Sequence, residues 1–409
     1  MHLSPEPMSA TLNFLSDRIN SLSESETLAM SRKSRELQAK GIDIINLSIG
    51  EPDFNTPDFI KTAAKEAIDK NFSKYMPVAG YADLREAISK KFKRDNNLNY
   101  SANQIVVSTG AKQSIANAML CLLNPGDEVL VPAPYWVSYI EIIKLTRATA
   151  VIVPAGIETN FKITPAQLKK FISPKTKMLV YSSPCNPTGS VYTKEELKSI
   201  AELISSYNNI FIIADEIYEY INYVGKTESI AQFDFIYDRV ITVNGMAKGF
   251  AMTGWRIGYI GAPLAIAQAC DKLQGQFTSG ASSIAQRATN AAVSNSDLSG
   301  VIAMKDAFQK RRDIILGLLR EIPGVKSNVP DGAFYVFPEV KSYFGKKFNG
   351  NAINNAEDLS MYLLTEGHVA IVSGGAFGDK NCIRISYAAS EPQIREAMKR
   401  IKEALSQLK

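Results

Sequence analysis

The stretch Val243-Asn244-Gly245-Met246-Ala247-Lys248-Gly249-Phe250-Ala251-Met252-Thr253-Gly254-Trp255-Arg256 follows an apolar, β-branched run, Val240-Ile241-Thr242-Val243, that reads as a buried strand. A lysine set among small residues at the end of such a strand is partly desolvated. That favours its neutral amine and suits it to condense with an aldehyde. Arg256, further on, supplies a fixed planar cation for a phosphate. Upstream, another apolar run, Phe211-Ile212-Ile213, ends in Ala214-Asp215-Glu216-Ile217-Tyr218. These two strand ends offer an acid for an aromatic nitrogen, a phenol for a ring oxygen and an amine for an aldehyde.

Working outward, short apolar runs alternate with helical stretches from Gln104 to Tyr259, the pattern of an α/β layer built on a mostly parallel sheet. The expected strands are 104–107, 128–131, 149–153, 177–181, 211–214, 240–243 and 256–260. Ligands in such sheets bind outside the carboxyl ends of the strands, where Asp215 and Lys248 fall. Asn124-Pro125-Gly126-Asp127 and Ser173-Pro174-Lys175-Thr176 read as turns. A long helix is expected over 298–319, with Lys310-Arg311-Arg312 as a solvated basic face. Beyond it, a helix over 356–366, strands at 369–372 and 382–387 and a final helix from Glu391 suggest a small α+β unit.

The chain's 409 residues suffice for two domains with substantial cores, and 45% hydrophobic with 21% charged residues is ordinary globular composition. Net charge is only +5 and the basic residues are scattered, which argues against a nucleic-acid partner. No run reaches the roughly 18 apolar residues of a membrane span and no signal pattern opens the chain, so a cytoplasmic protein is expected. Four cysteines, Cys121, Cys185, Cys270 and Cys382, lie far apart and suggest neither a disulfide framework nor a metal site. With two histidines, His2 and His368, histidine catalysis has little to draw on, and Lys248 is the natural proton carrier.

Several ordered motifs extend this reading: Gly50-Glu51-Pro52-Asp53-Phe54, Tyr75 with Ala79-Gly80, Gly110-Ala111-Lys112, Pro134-Tyr135-Trp136, Ser183-Pro184-Cys185-Asn186-Pro187-Thr188-Gly189, Asp215-Glu216-Ile217-Tyr218, Lys248 to Arg256, and Arg384-Ile385-Ser386-Tyr387. Together they resemble the class I aminotransferases of pyridoxal-phosphate fold type I, over most of the chain from about Leu15. The resemblance implies a large domain with a mostly parallel seven-stranded sheet and a smaller, discontinuous α+β domain. The expected division is 1–53 joining the small domain, 54–297 as the large cofactor-binding domain, and 298–409 as interdomain helix and small domain.

It also implies site roles. Pyridoxal 5'-phosphate would sit with its phosphate on the Gly110, Ala111 and Lys112 turn and on Arg256. Tyr75 would come from a partner subunit, which makes a homodimer with shared sites. Trp136 would stack on the pyridine ring, Asn186 and Tyr218 would contact its phenolic oxygen, and Asp215 would hold its nitrogen. Lys248 would be the catalytic amine. Arg384, with Gly50, Trp136 and Asn186, would take the substrate α-carboxylate, a task for a planar arginine. Cys185 and Trp255 read as packing residues, and Glu216 and Glu219 as pointing away from the cofactor.

For the substrate, the partner-subunit arginine of the best-known aspartate enzymes has no match around 275–287. In a bacterial-type subgroup a lysine at the position of Lys112 holds the distal carboxylate, and members that accept prephenate carry a threonine matched by Thr27. The expected reaction is ping-pong transfer of an amino group between aspartate or glutamate and a 2-oxo acid, with prephenate to arogenate as a further activity. An aminotransferase for aromatic or other amino acids, or a lyase on the same fold, shares every cofactor contact. A non-enzymatic cofactor-sensing regulator is disfavoured, because too little chain precedes the matched region for a DNA-binding domain.

Overall fold

The computed structural model describes residues 14–409; His2 lies outside them. A two-residue strand, β1 (Ile45–Asn46), precedes a seven-stranded sheet made of β2 (Ile105–Ser108), β3 (Glu128–Ala133), β4 (Thr149–Pro154), β5 (Thr176–Ser182), β6 (Phe211–Asp215), β7 (Val240–Asn244) and β8 (Gly258–Gly261). Their order across the sheet is β2-β8-β7-β6-β5-β3-β4. The pairs from β4 to β7 are parallel, whereas β8 runs antiparallel to both β7 and β2. The expected strands are all present within a residue or two. Their interior members are uniformly apolar because helices cover both faces. One face packs on Asp58–Asp69, Ala82–Lys91, Lys194–Ser205 and Ser283–Ser294, the other on Ala111–Leu122, Ser138–Thr146 and Leu264–Phe277.

The reversal of β8 matters for function. Parallel strands deliver their carboxyl ends to one edge of the sheet, and a reversed strand delivers its amino end there. Ser108 pairs with Gly258, so the turn after β2 and the residue before β8 meet. Arg256 is therefore not the first residue of a strand, as the sequence suggested. It sits before β8 in a left-handed conformation, φ 58°.

A second core gathers the helices Ser299–Arg320, Ala356–Thr365 and Glu391–Ser406 around β9 (Tyr335–Val336) and its neighbours. A hairpin of β10 (Lys347–Phe348) and β11 (Asn351–Ala352) flanks it. The single strand expected over 369–372 is two: β12 (Val369–Ala370) pairs parallel with β1, and β13 (Val372–Ser373) pairs antiparallel with β14 (Ile383–Ser386). The chain switches sheets at Ile371. Ile45 and Leu47 belong to this second core, so the N-terminal segment folds onto it.

Of the basic face expected on the long helix, Lys310 is exposed, but the two arginines are not solvated. Arg311 makes a two-point ion pair with Asp53, at 2.6 and 3.0 Å, and lies over Phe54 and Phe308 at 5.0 and 5.5 Å. Arg312 lies over Tyr223 at 5.0 Å and donates to the Pro330 carbonyl at 3.0 Å. The helix packs against the second core, whose aromatic rings cover its guanidinium groups. Among the described residues no helix is long and apolar enough to cross a membrane.

Candidate active site

At the carboxyl edge of the sheet a cavity of about 380 Å³ opens. Its wall contains Thr27, Gly50, Gly110, Ala111, Lys112, Trp136, Asn186, Asp215, Tyr218, Lys248, Arg256 and Arg384, which is every site residue singled out from the sequence except Tyr75. Tyr75 stands outside it, 98% exposed.

Gly110, at φ 81°, turns the chain from β2 into the helix Ala111–Leu122, whose first turn has no side-chain cap. A Cβ on Gly110 would collide with the Arg256 guanidinium, so glycine is needed for that approach as well as for its backbone angle. Arg256 is steadied by a 2.9 Å bond to the Thr253 carbonyl. Uncapped backbone N–H groups, the positive end of a helix and an arginine make an anion site. Lys112, on the same turn, lies over the Trp136 ring at 5.1 Å; burial foremost, then Arg256, lowers its pKa.

Asp215 ends β6 and Lys248 follows β7, its parallel neighbour, so strand pairing brings them to one place. The Asp215 carboxylate accepts from the Tyr139 hydroxyl at 2.8 Å and from the Ile217 amide at 3.3 Å. Burial raises its pKa to about 6 against those bonds. Lys248 donates to the Gly50 carbonyl and lies 5.6 Å from the Tyr218 ring. Burial lowers its pKa to about 8, partly opposed by Glu51. The Tyr218 hydroxyl is 2.7 Å from that of Tyr335.

Arg384 is 2% exposed and lies near the rings of Tyr335 and Phe377, at 4.7 and 4.8 Å. It donates to Asn186 Oδ1 at 3.0 Å and to the Ser48 carbonyl, while its Nε has no partner among the described residues. A guanidinium carries five N–H groups, so three remain for a carboxylate. Cys185 is half-buried with its thiol near the Pro134 carbonyl, and desolvation raises its pKa, which agrees with a packing role.

The sequence reading missed Tyr335, Tyr139 and Ser48. Tyr139 stands three residues after Trp136, one helical turn on, and that spacing could have flagged it. Tyr335 and Ser48 arrive from the second core, and no local pattern marks them.

A family model described as aminotransferase class I and II matches residues 42–401. The chain belongs to that family. It is 47% identical over 399 residues to the bifunctional aspartate aminotransferase and glutamate/aspartate-prephenate aminotransferase of Petunia hybrida, covering 97% of this chain and 83% of that protein. It is 44% identical to the aspartate/prephenate aminotransferase of Cereibacter sphaeroides, covering 95% and 98%. Among solved structures it resembles the aspartate aminotransferases of Rhizobium meliloti, with TM-score 0.93, 38% identity and coverage of 97% and 99%, and of Thermus thermophilus with maleate, with TM-score 0.90, 38% identity and coverage of 95% and 99%. The aminotransferase expected from the motifs is thereby identified at the level of the family, with its α/β fold.

Proposed function

We propose that this aminotransferase moves amino groups between aspartate or glutamate and 2-oxo acids with pyridoxal 5'-phosphate, and also converts prephenate to arogenate. The observation that carries this reading is charge: Lys112, Lys248, Arg256 and Arg384 line the cavity, where among the described residues Asp215 is the one carboxylate. A phosphate, an α-carboxylate and a distal carboxylate would balance that excess. Lys112 is exposed on the cavity wall, and an uncharged side chain would forgo a charge-assisted contact with its ammonium, which costs affinity.

The residues fit the cofactor. The uncapped helix turn with Arg256 suits its phosphate, buried Asp215 suits its nitrogen, Tyr218 and Asn186 suit its phenolic oxygen, and Trp136 suits its ring. When bound, pyridoxal phosphate supplies an aldehyde for the amine and a ring that accepts the electron pair left at Cα. The rest is the work of the chain. Asp215 would lie opposite the ring nitrogen, where a cationic partner would restore its charge. Arg384 would take the α-carboxylate in two-point geometry, beside Lys248 as the proton carrier. With a pKa near 8, Lys248 keeps a neutral fraction at pH 7 and carries the Cα proton away and back.

Thr27 has a buried hydroxyl with no partner among the described residues, and it stands on the cavity wall. That supports a role in binding the second, larger dicarboxylic acid. Tyr75, wholly exposed and outside its own cavity, supports a homodimer in which it reaches the neighbour's phosphate. The segments 14–53 and 298–409 we take as one small domain that closes over 54–297, since β1 pairs with β12; residues 1–13 of the expected division lie outside the described residues.

Comparing kcat/KM for aspartate, phenylalanine and prephenate in the native chain, Lys112→Ala and Thr27→Val tests the reading. Lys112→Ala is expected to lower the aspartate value by about 10²-fold, the scale of one buried charge-assisted contact, and the phenylalanine value little. Indifference of aspartate to Lys112 removes the distal-carboxylate assignment, and absence of prephenate turnover in the native chain removes the second substrate. Mixing inactive Tyr75 and Lys248 variants should restore some activity through mixed dimers. A fully active monomer would end the shared-site proposal.

A further inference from the structure

Tyr335 stands on β9, fully buried, where three parts of the cavity meet. Its hydroxyl is 2.7 Å from that of Tyr218, and its ring lies 4.7 Å from the Arg384 guanidinium. The same hydroxyl packs against Gly50 so closely that a Cβ there would collide with it, and the Gly50 carbonyl accepts from Lys248. One side chain from the second core thus touches the phenol, the arginine and the backbone partner of the lysine.

A phenol has a single proton to give. In the Tyr218–Tyr335 pair either hydroxyl can donate. Once the Tyr218 hydroxyl donates its hydrogen bond to an anionic oxygen in the cavity, only Tyr335 can donate within the pair. A hydroxyl that accepts a bond becomes a stronger donor in its turn, and more so away from water. The ring acts separately: with Phe377, 4.8 Å from the same carbon, it gives the Arg384 plane an aromatic surface to rest on.

We infer that Tyr335 is a positioning residue with two duties: its hydroxyl aims and polarises the Tyr218 proton toward the phenolic oxygen of the bound cofactor, and its ring fixes the plane of Arg384 for the substrate carboxylate. The inference rests on the proposed reading, in which Tyr218 and Arg384 face those two groups. Both phenols are raised in pKa by burial, so both keep their protons over the working range.

The test uses the full chain reconstituted with pyridoxal phosphate, with Tyr335→Phe and Tyr335→Leu. Weaker donation from Tyr218 leaves more electron density on the cofactor. The pH midpoint of its visible absorption therefore rises, by about half a unit for the loss of one polarising hydrogen bond in Tyr335→Phe. KM for aspartate should stay within about twofold in Tyr335→Phe, which keeps the ring, and rise about tenfold or more in Tyr335→Leu, which does not. A midpoint in Tyr335→Phe equal to that of the native chain overturns the hydroxyl's role. Equal KM in the two variants overturns the ring's role. Should Tyr335→Leu misfold, Tyr335→Met, closer to tyrosine in length, carries the ring comparison. A native chain that develops no cofactor absorption would refute the underlying reading and is distinguishable from either outcome.

Discussion

Two buried charged regions hang from one turn of this protein and behave in opposite ways. Asp215 and Tyr218 face the cavity, whereas Glu216 and Glu219 face the interior behind it: Asp215 and Glu216 alternate at the strand end, and the turn closed by the Glu219 amide on the Glu216 carbonyl returns every third residue to the same side. Behind the turn, Lys91 is ion-paired with Glu219, and Asn96 bridges the two with bonds of 2.9 and 2.8 Å. That cluster is closed on itself. In the cavity the charged groups contact mostly backbone and hydroxyl groups, and Lys248, Asp215, Lys112 and Arg384 are all shifted toward neutrality, each with burial as the main cause. Breaking a pair closed inside the chain strands a buried charge and costs stability, whereas charges left without a counter-ion are open to one from a ligand.

The comparison breaks first at Lys248. Lys248→Ala should fold as stably as the native chain or more so, since it removes a buried cation, yet lose at least about 10⁴-fold in turnover because the proton carrier is gone. After borohydride reduction, mass spectrometry should find cofactor mass fixed at this site in the native chain and none in the variant. Cofactor fixed equally in both would refute the assignment.

The closed cluster should show the converse. Lys91→Met leaves Glu219 buried without its cation and is expected to destabilise by about 3–5 kcal/mol, while kcat of the molecules that remain folded changes little. Denaturant unfolding and activity per folded chain measure the two quantities. A variant as stable as the native chain would place this cluster in the same class as the cavity.

Glu216 sharpens the contrast, because it belongs to the closed side but is incompletely paired. Its carboxylate is buried with the Ser229 hydroxyl as its main offset for lost water, and burial raises its pKa from 4.5 to about 8. Between those values the folded chain holds this proton more tightly than the unfolded chain, so this group's contribution to stability falls as pH rises through the window and levels off above it. Glu216→Gln, which keeps the shape without the titration, should match the native chain near pH 4 and exceed it by up to about 3 kcal/mol at pH 7. Parallel stability-against-pH curves for the two proteins would exclude the effect.

The sequence by itself determined the sheet and most of the site. Strands covered on both faces are mostly apolar, so the interior strands of the sheet were legible as short apolar runs, and the edge strand β4 by its β-branched residues. Lys248, Asp215 and Arg256 were legible because each follows or precedes such a strand, and the family motifs supplied the likeness that local pattern lacks. The tertiary structure decided what depends on elements distant in sequence. The reversal of β8 brings Arg256 to Gly110, and β9 sets Tyr335 between Tyr218 and Arg384. Packing against the second core turns Arg311 and Arg312 from an expected solvated face into covered ion pairs and ring contacts. A local window records the polarity of a residue and its period, but not which element will pack over it. For a long, charged side chain that covering element decides between solvent, structure and site.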